Sequence, residues 1–224
     1  MPLVLILVEC GLELIPQEIK NHPSVLNNLR KDDYSSKLLD NALHHSAMGK
    51  LSNFEKRGRP DITHNCLLNA LGSPLNKNGN LKLYIHTYHK KIFEINPEIK
   101  LTRNYNRFKG LMAKLLYENE LKFENLNLIT AVNKTLEELV NNFKKKKVLI
   151  FSFKGQLLRY QDQLFEKDLS KNYLVIIGGF QKGFFSSEVV NLSNKLISIS
   201  NYPLDAWIVV NKVISLYEIT NDIL

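Results

Sequence analysis

The nine residues KRGRPDITH at 56–64 place three cations, a glycine, a proline and one carboxylate just ahead of an apolar run. Asp61 follows Arg59 by two residues at the mouth of an expected helix. An aspartate there commonly caps the free backbone amides. The same carboxylate can instead hold the Arg59 guanidinium, and a guanidinium fixed in advance loses less entropy on meeting an anion. The two roles are compatible.

A second cationic group surrounds an expected helix that begins near Arg103. Tyr105, Phe108, Leu111, Met112, Leu115 and Leu116 fall on one broad arc, with Arg103, Arg107 and Lys114 opposite. Lys100 precedes them, at a spacing of three and then four to the two arginines. Such an edge suits a phosphate backbone, and arginine also stacks on bases. An ordinary solvated helix face has the same pattern.

The third group is glycine- and turn-rich. GGFQKG (178–183) directly follows an apolar strand, and ISISNYPL (197–204) is a second strand-to-turn-to-helix junction with free backbone amides. Gly178, Gly179 and Gly183 either form a turn or let the backbone approach a ligand closely. They do not spell GxGxxG, and there is no GxxxxGK[ST], so neither a Rossmann site nor a nucleotide triphosphatase is expected. His22, His44, His45, His64, His86 and His89 form no HExxH and no cluster at metal spacing, so no metal is expected. No serine sits in GxSxG, and no cysteine is flanked as a nucleophile.

Composition narrows the class. With 224 residues, 44% apolar, and ordinary glycine and proline, the chain reads as globular and as one large domain. The net charge of +8 points to nucleic acid or an anionic surface. The KKKK run at 144–147 has no amphipathic partner face and reads as a solvated linker, not a membrane patch. Cys10 and Cys66 make no CxxC, which suggests a reducing cytoplasm. PLVLILV near the start is too short to span a bilayer and reads as a buried strand.

The elements that must position these groups follow from periodicity. A strand is expected at about 2–9, then a helical segment broken by Pro16 and Pro23, then a helix over 32–50. A helix from Asp61 presents Ile62, Cys66, Leu67, Ala70 and Leu71 on one face and ends in the turn residues 72–80. LKLYIHT and KIFEI predict a hairpin around Tyr88–Lys90. Helices are expected at 103–118 and 133–143, with 119–132 unassigned. The apolar runs VLIFSF, YLVIIGG and LISIS, alternating with connections, predict a parallel sheet buried on both faces. The final helix is expected from Pro203 to about Ile219. It is apolar nearly all round, which predicts a homodimer contact; burial inside one protomer is the alternative.

Taken together, RGRPDITHNCLLNALGSPLNKNGNLKLYIHT, EINPEIKLTRNYNRFKGLMAKLL and ISISNYPLDAW resemble a known family. It is that of the archaeal and eukaryal ribosome-biogenesis methyltransferases that modify N1 of pseudouridine in small-subunit rRNA. These are SPOUT, or α/β-knot, proteins. The resemblance runs from about His44 to the end. It implies a mostly parallel α/β sheet flanked by helices, with a C-terminal trefoil knot and a β-hairpin/helix elaboration. Within one domain spanning 1–224, about 75–118 would be the RNA-binding elaboration and about 145–224 the knotted cofactor region.

The resemblance also implies S-adenosylmethionine, held by the loops VLIFSFKG, IIGGFQKG and LISISNYPL. Cofactor contact carries onto Gly178, Gly183, Leu196, Ile197, Ser198, Ile199, Ser200 and Asn201. RNA contact carries onto Arg59, Lys100, Arg103 and Arg107, with Asp61 orienting Arg59. Arg59 and Asp61 are the catalytic candidates, with no general base assigned. The family usually has arginine where this chain has Lys100. The HH at 44–45 is familial without an assigned role. The implied partners are a small-subunit rRNA hairpin, a second copy of the chain and ribosome assembly intermediates. Two rival readings stay open: a non-catalytic RNA-binding assembly factor, and a SPOUT enzyme that methylates a ribose 2′-hydroxyl.

Overall fold

A run of eight buried residues forms the first strand, β1 (Leu3–Cys10). Its side chains alternate between two cores, Leu3, Leu5 and Leu7 on one face and Val4, Ile6 and Val8 on the other. That pattern forces both faces of the sheet to be covered. The computed structural model describes residues 3–30, 33–160, 164–167 and 170–223.

The helices are α1 (Pro23–Leu26), α2 (Asn41–Met48), α3 (Pro60–Gly72), α4 (Pro74–Lys77), α5 (Tyr105–Glu118), α6 (Leu136–Asn141), α7 (Ser187–Val190) and α8 (Ala206–Thr220). The remaining strands are β2 (Leu81–Thr87), β3 (Ile92–Ile95), β4 (Glu120–Phe123), β5 (Leu126–Val132), β6 (Lys146–Leu157), β7 (Asn172–Gly178) and β8 (Leu196–Ser198). They build one eight-stranded sheet in the order β4-β5-β3-β2-β1-β7-β6-β8. Pairing is parallel from β2 through β1, β7 and β6 to β8, and antiparallel where β3, β5 and β4 extend the other edge. Cys66 and Leu67 of α3, Phe108 of α5 and Val213 of α8 pack on one face; Leu136 of α6 and Val189 of α7 pack on the other.

The hairpin of β2 and β3 and the α5 helix form as expected. Other expectations need correction. The segment 32–50 is not one helix: a 3-10 turn at Tyr34–Lys37 is followed by extended backbone at Leu38, and α2 begins only after Asp40. Leu38 is drawn into a bridge with Leu14, and the Asp40 carboxylate accepts the Ala42 amide as the cap of α2. The unassigned stretch 119–132 holds a second hairpin, β4 with β5, entered through Asn119 at φ 60°. The turn at 72–80 contains the short helix α4. Pro203 does not open the last helix; it lines a cavity, and α8 begins at Ala206 with Asp205 at its N-cap. That helix buries Val210, Val213, Ile214 and Tyr217 but leaves Ile208 38% and Ile219 72% exposed. Among the described residues, no helix is long and apolar enough to cross a membrane.

Candidate functional site

A cavity of about 520 Å3 opens where β6, β7 and β8 deliver their connecting loops. Parallel sheets commonly bind ligands at such strand ends. Gly178, Gly183, Leu196, Ile197, Ser198, Ile199 and Ser200 line it. Asn201 is exposed and lies outside the lining. Gly183 has φ +113°, a backbone angle that a side chain would strain. Phe151, Phe153, Phe180 and Tyr202, which stand in the loops that the resemblance implied, also line the cavity, as do Phe184 and Glu55, which lie outside those loops. No local periodicity marks Phe184 or Glu55 as pocket residues, so the sequence carried no signal for these two.

The walls suit S-adenosylmethionine. Apolar side chains accept an adenine face, aromatic rings favour a sulfonium cation, and the Glu55 carboxylate favours an ammonium group. Among the described residues, no group of His, Cys, Asp and Glu is arranged to hold a metal ion.

The segment carrying Glu55 is anchored at two points. Glu9, at φ 52° near the end of β1, accepts Lys56 Nζ at 2.6 Å and the Ser186 amide at 2.9 Å. Burial would raise the Glu9 carboxyl, but Lys56 and the hydrogen bonds at Ser186 outweigh it and hold it below the usual range. The Lys56 ammonium also lies 4.8 Å from the Phe180 ring centre. One buried carboxylate thus ties residues 54–57 to the loop bearing Phe180 and Gly183. Next to it, Arg57 donates to both oxygens of the buried Glu13, at 2.8 and 2.6 Å, and His89 Nε2 lies 3.0 Å from the same carboxylate. Gly11 permits this packing, since a Cβ there would lie 2.9 Å from the Lys56 carbonyl oxygen and 3.0 Å from the Arg59 nitrogen.

Arg59 occupies the N-cap position of α3, and Asp61 sits in its first turn without capping it. The Asp61 carboxylate instead accepts Arg59 Nε at 2.8 Å and Nη2 at 2.6 Å. The hydrogen bonds that Arg59 donates to Asp61, offset in part by burial, raise the Arg59 guanidinium pKa, and Tyr105 and Asp205 add to the rise. Tyr105 opens α5, and Asp205 follows Leu204, which lines the cavity. Neither Arg59 nor Asp61 lines the cavity; the charges of Tyr105 and Asp205 are near enough to act on the Arg59 guanidinium.

Two buried contacts set that helix in place. Asp40 Oδ2 accepts Lys109 Nζ at 2.9 Å and the Tyr105 hydroxyl at 3.1 Å. His44 Nδ1 accepts the Asp40 amide at 3.0 Å, which gives the first histidine of the HH pair a structural task. His64 of α3 donates from Nε2 to the Thr102 carbonyl at 2.7 Å, and its ring stacks on Phe108 at 4.2 Å. Thr102 immediately precedes Arg103, so α3 carries Asp61 and also fixes the backbone that presents Arg103. Burial pulls His44 and His64 below the ordinary imidazole range. Lys100, Arg103 and Arg107 are exposed, and among the described residues none of them forms an ion pair. Asn104 caps α5 by accepting the Arg107 amide at 3.0 Å.

Comparison with known proteins places this arrangement. The Ribosomal RNA small subunit methyltransferase Nep1 of Staphylothermus marinus is 40% identical over 216 residues, covering 95% of this chain and 94% of that one. The protein of the same name from Thermococcus onnurineus is 41% identical over 218 residues, covering 96% and 97%. The crystal structure of Archaeoglobus fulgidus Nep1 bound to S-adenosylhomocysteine superposes with a TM-score of 0.84 at 34% identity, over 99% of this chain and 100% of that one. A family profile described as EMG1/NEP1 methyltransferase matches residues 5–218. By sequence over nearly its full length and by fold, the chain belongs to the EMG1/NEP1 methyltransferase family.

Proposed function

We propose that this chain methylates N1 of a pseudouridine in small-subunit rRNA, with S-adenosylmethionine as donor, and serves small-subunit assembly. The coarser reading, a methyltransferase of small-subunit rRNA that uses S-adenosylmethionine, follows from the family and its relatives. The finer one rests on the resemblance of the sequence stretches quoted above, and one observation agrees with it. The anchored segment 55–59 runs from Glu55 in the cavity wall to Arg59, which Asp61 grips at two points.

When bound, S-adenosylmethionine supplies an electrophilic methyl group. The residues of the chain do the rest. Lys100, Arg103 and Arg107 hold the strand flanking the target, which is an unpaired loop nucleotide whose base swings out of the stack. N1 of pseudouridine carries a proton, because the sugar is attached through carbon. That proton leaves to solvent as N1 attacks, and the negative charge spreads over the ring and its carbonyls. Arg59 faces this charge with its guanidinium already oriented by Asp61. Asp61 acts through Arg59, so positioning and electrostatics carry the step.

Within this reading, about 145–224 forms the knotted cofactor region and about 75–118 the RNA-binding elaboration of a single domain. A second copy covers the apolar side of α8, whose Ile208 and Ile219 are exposed. The cytoplasm is the expected compartment. The intact cavity favours an enzyme over a non-catalytic assembly factor.

The test is methyl transfer from labelled S-adenosylmethionine to two hairpins identical except for uridine or pseudouridine in the loop. Transfer to the pseudouridine hairpin alone, located to N1 by mass spectrometry, is expected. Equal transfer to both points to the ribose 2′-hydroxyl. Binding without transfer points to an assembly factor.

A further inference from the structure

At the end of α5 away from Arg107 lies a second hollow, of about 360 Å3. Leu14, Ile15 and Val25 line it as apolar surface, Tyr117 also lines it, and Lys20 and Lys37 bring two cations to it. Tyr34 stands beside Tyr117, with ring centres 6.0 Å apart and an interplanar angle of 73°. The Lys37 ammonium lies 4.6 Å from the Tyr34 ring centre and 5.8 Å from that of Tyr117. Both tyrosines keep much of their surface in solvent, at 41% and 53% exposed. Among the described residues, neither Lys20 nor Lys37 forms an ion pair.

Helix geometry connects this hollow to the cationic edge. At about 100° per residue, Arg107, Lys114 and Tyr117 fall within an arc of about 80°, and Lys114 lies 3.7 Å from the Glu118 carboxylate, which leaves Arg107 as the cation of this arc without an ion pair among the described residues. Ten residues separate Arg107 from Tyr117, or about 15 Å of axial rise. A few unpaired nucleotides span that distance. The turn that carries Tyr34 and Lys37 rests on α5 at Gly110, where a Cβ would meet the Ser35 nitrogen at 3.7 Å. The same helix therefore presents guanidinium at its start and a paired aromatic and cationic surface at its end.

We propose that this hollow binds one unpaired nucleotide of the rRNA strand that flanks the target hairpin. Its base stacks on Tyr117, whose ring the Tyr34 ring buttresses edge-on, and its phosphate lies between Lys20 and Lys37. The inference rests on the RNA-binding reading above. The chemistry favours RNA over a protein segment: exposed aromatics interleaved with unpaired lysines, continuous with a cationic helix face, form a stacking platform for single strands. Every base has a face to stack, so the site reads the presence of a flanking nucleotide more than its identity.

The test uses the full chain and two hairpins with the same loop, one blunt and one with a short single-stranded tail at each end. Stacking of one base is worth about 1–3 kcal/mol, so the tail should tighten binding by roughly 5- to 150-fold. A 2-aminopurine scanned through the tails should be quenched at one position. Tyr117→Ala and Lys37→Ala should abolish the tail's advantage while binding the blunt hairpin as the unaltered chain does, and Tyr117→Phe should retain it. If the tail brings no gain while the blunt hairpin still binds, this proposal fails and the RNA reading stands. If neither hairpin binds, the RNA reading itself fails. A Tyr117→Ala variant that changes only self-association would assign the hollow to a second copy and overturn the proposal.

Discussion

The Arg59 guanidinium and the Asp61 carboxylate meet across a single residue, Pro60, in a two-point ion pair of 2.8 and 2.6 Å. Proline restricts the backbone between them, so the pair is organised before any anion arrives. Arg59→Ala should lower kcat about 100-fold, the scale of losing one donor aimed at developing charge. Arg107→Ala should raise the Kd for the hairpin and leave kcat intact at saturating RNA. Steady-state kinetics on the pseudouridine hairpin separates the two, and full turnover by Arg59→Ala at saturation would remove Arg59 from the chemistry. Asp61→Asn should fall between them. It keeps the guanidinium but loosens it, and because the pair is partly exposed Tm should barely move.

Two glycines report on the cavity through close backbone approach. A Cβ on Gly155 would lie 2.5 Å from the Ile197 nitrogen and the Leu196 carbonyl carbon, so Gly155→Ala must push β6 away from the 196–200 wall. A Cβ on Gly179 would clash with Cys10 Sγ and lie 3.1 Å from the Cys10 Cα. Each substitution should cost about 1–3 kcal/mol of stability. Gly155→Ala should also weaken S-adenosylhomocysteine binding about tenfold in calorimetry. Gly49→Ala is the control, because nothing lies within 4 Å of its Cβ. Unchanged cofactor affinity in Gly155→Ala would show that the wall yields.

Acid should destabilise the fold in two stages. Burial holds His44, His64 and His86 below their ordinary pKa, so the unfolded chain binds more protons than the native one as pH falls below about 6.5. Stability is then full above that value and falls with acidification, by up to about 1.4 kcal/mol per pH unit for each histidine. Glu9 adds a lower window. Its depressed native pKa contributes stability above about 4.3, lost as pH drops through the folded value. Denaturant melts between pH 8 and 4 should show this slope. His86→Gln should flatten the upper stage, and an unchanged slope would mean that the ring takes up its proton inside the fold.

Legibility from sequence followed the range of each interaction. The hold of Asp61 on Arg59 is local, two residues apart, and was readable beside the capping alternative that the structure does not use. Lys56 stood in the same quoted stretch, but its partner Glu9 is 47 residues away and no periodicity links them. Glu55 in the cavity wall was invisible for the same reason. The β4–β5 hairpin escaped because its strands are largely exposed, so burial wrote no alternation into them, and its turn places Glu124 at φ 53° without a glycine to mark it. Pro203 was misleading in the opposite way. Proline favours a first helical turn, yet here cavity packing claims it and the helix starts three residues later.

Lys100 offers the sharpest separation of phosphate contact from base contact. An ammonium keeps a point contact with phosphate but cannot make the two-point or stacked contact of an arginine. Each phosphate neutralised on a single strand contributes about −0.7 to the slope of log K against log salt. With Arg59, Lys100, Arg103 and Arg107 engaged, the slope should be roughly −3. Lys100→Ala should flatten it by about 0.7 with no change in preference among loop sequences. Lys100→Arg should leave the slope alone, and any gain in affinity would then come from stacking or a second hydrogen bond. A slope that Lys100→Ala does not change would place this side chain off the backbone.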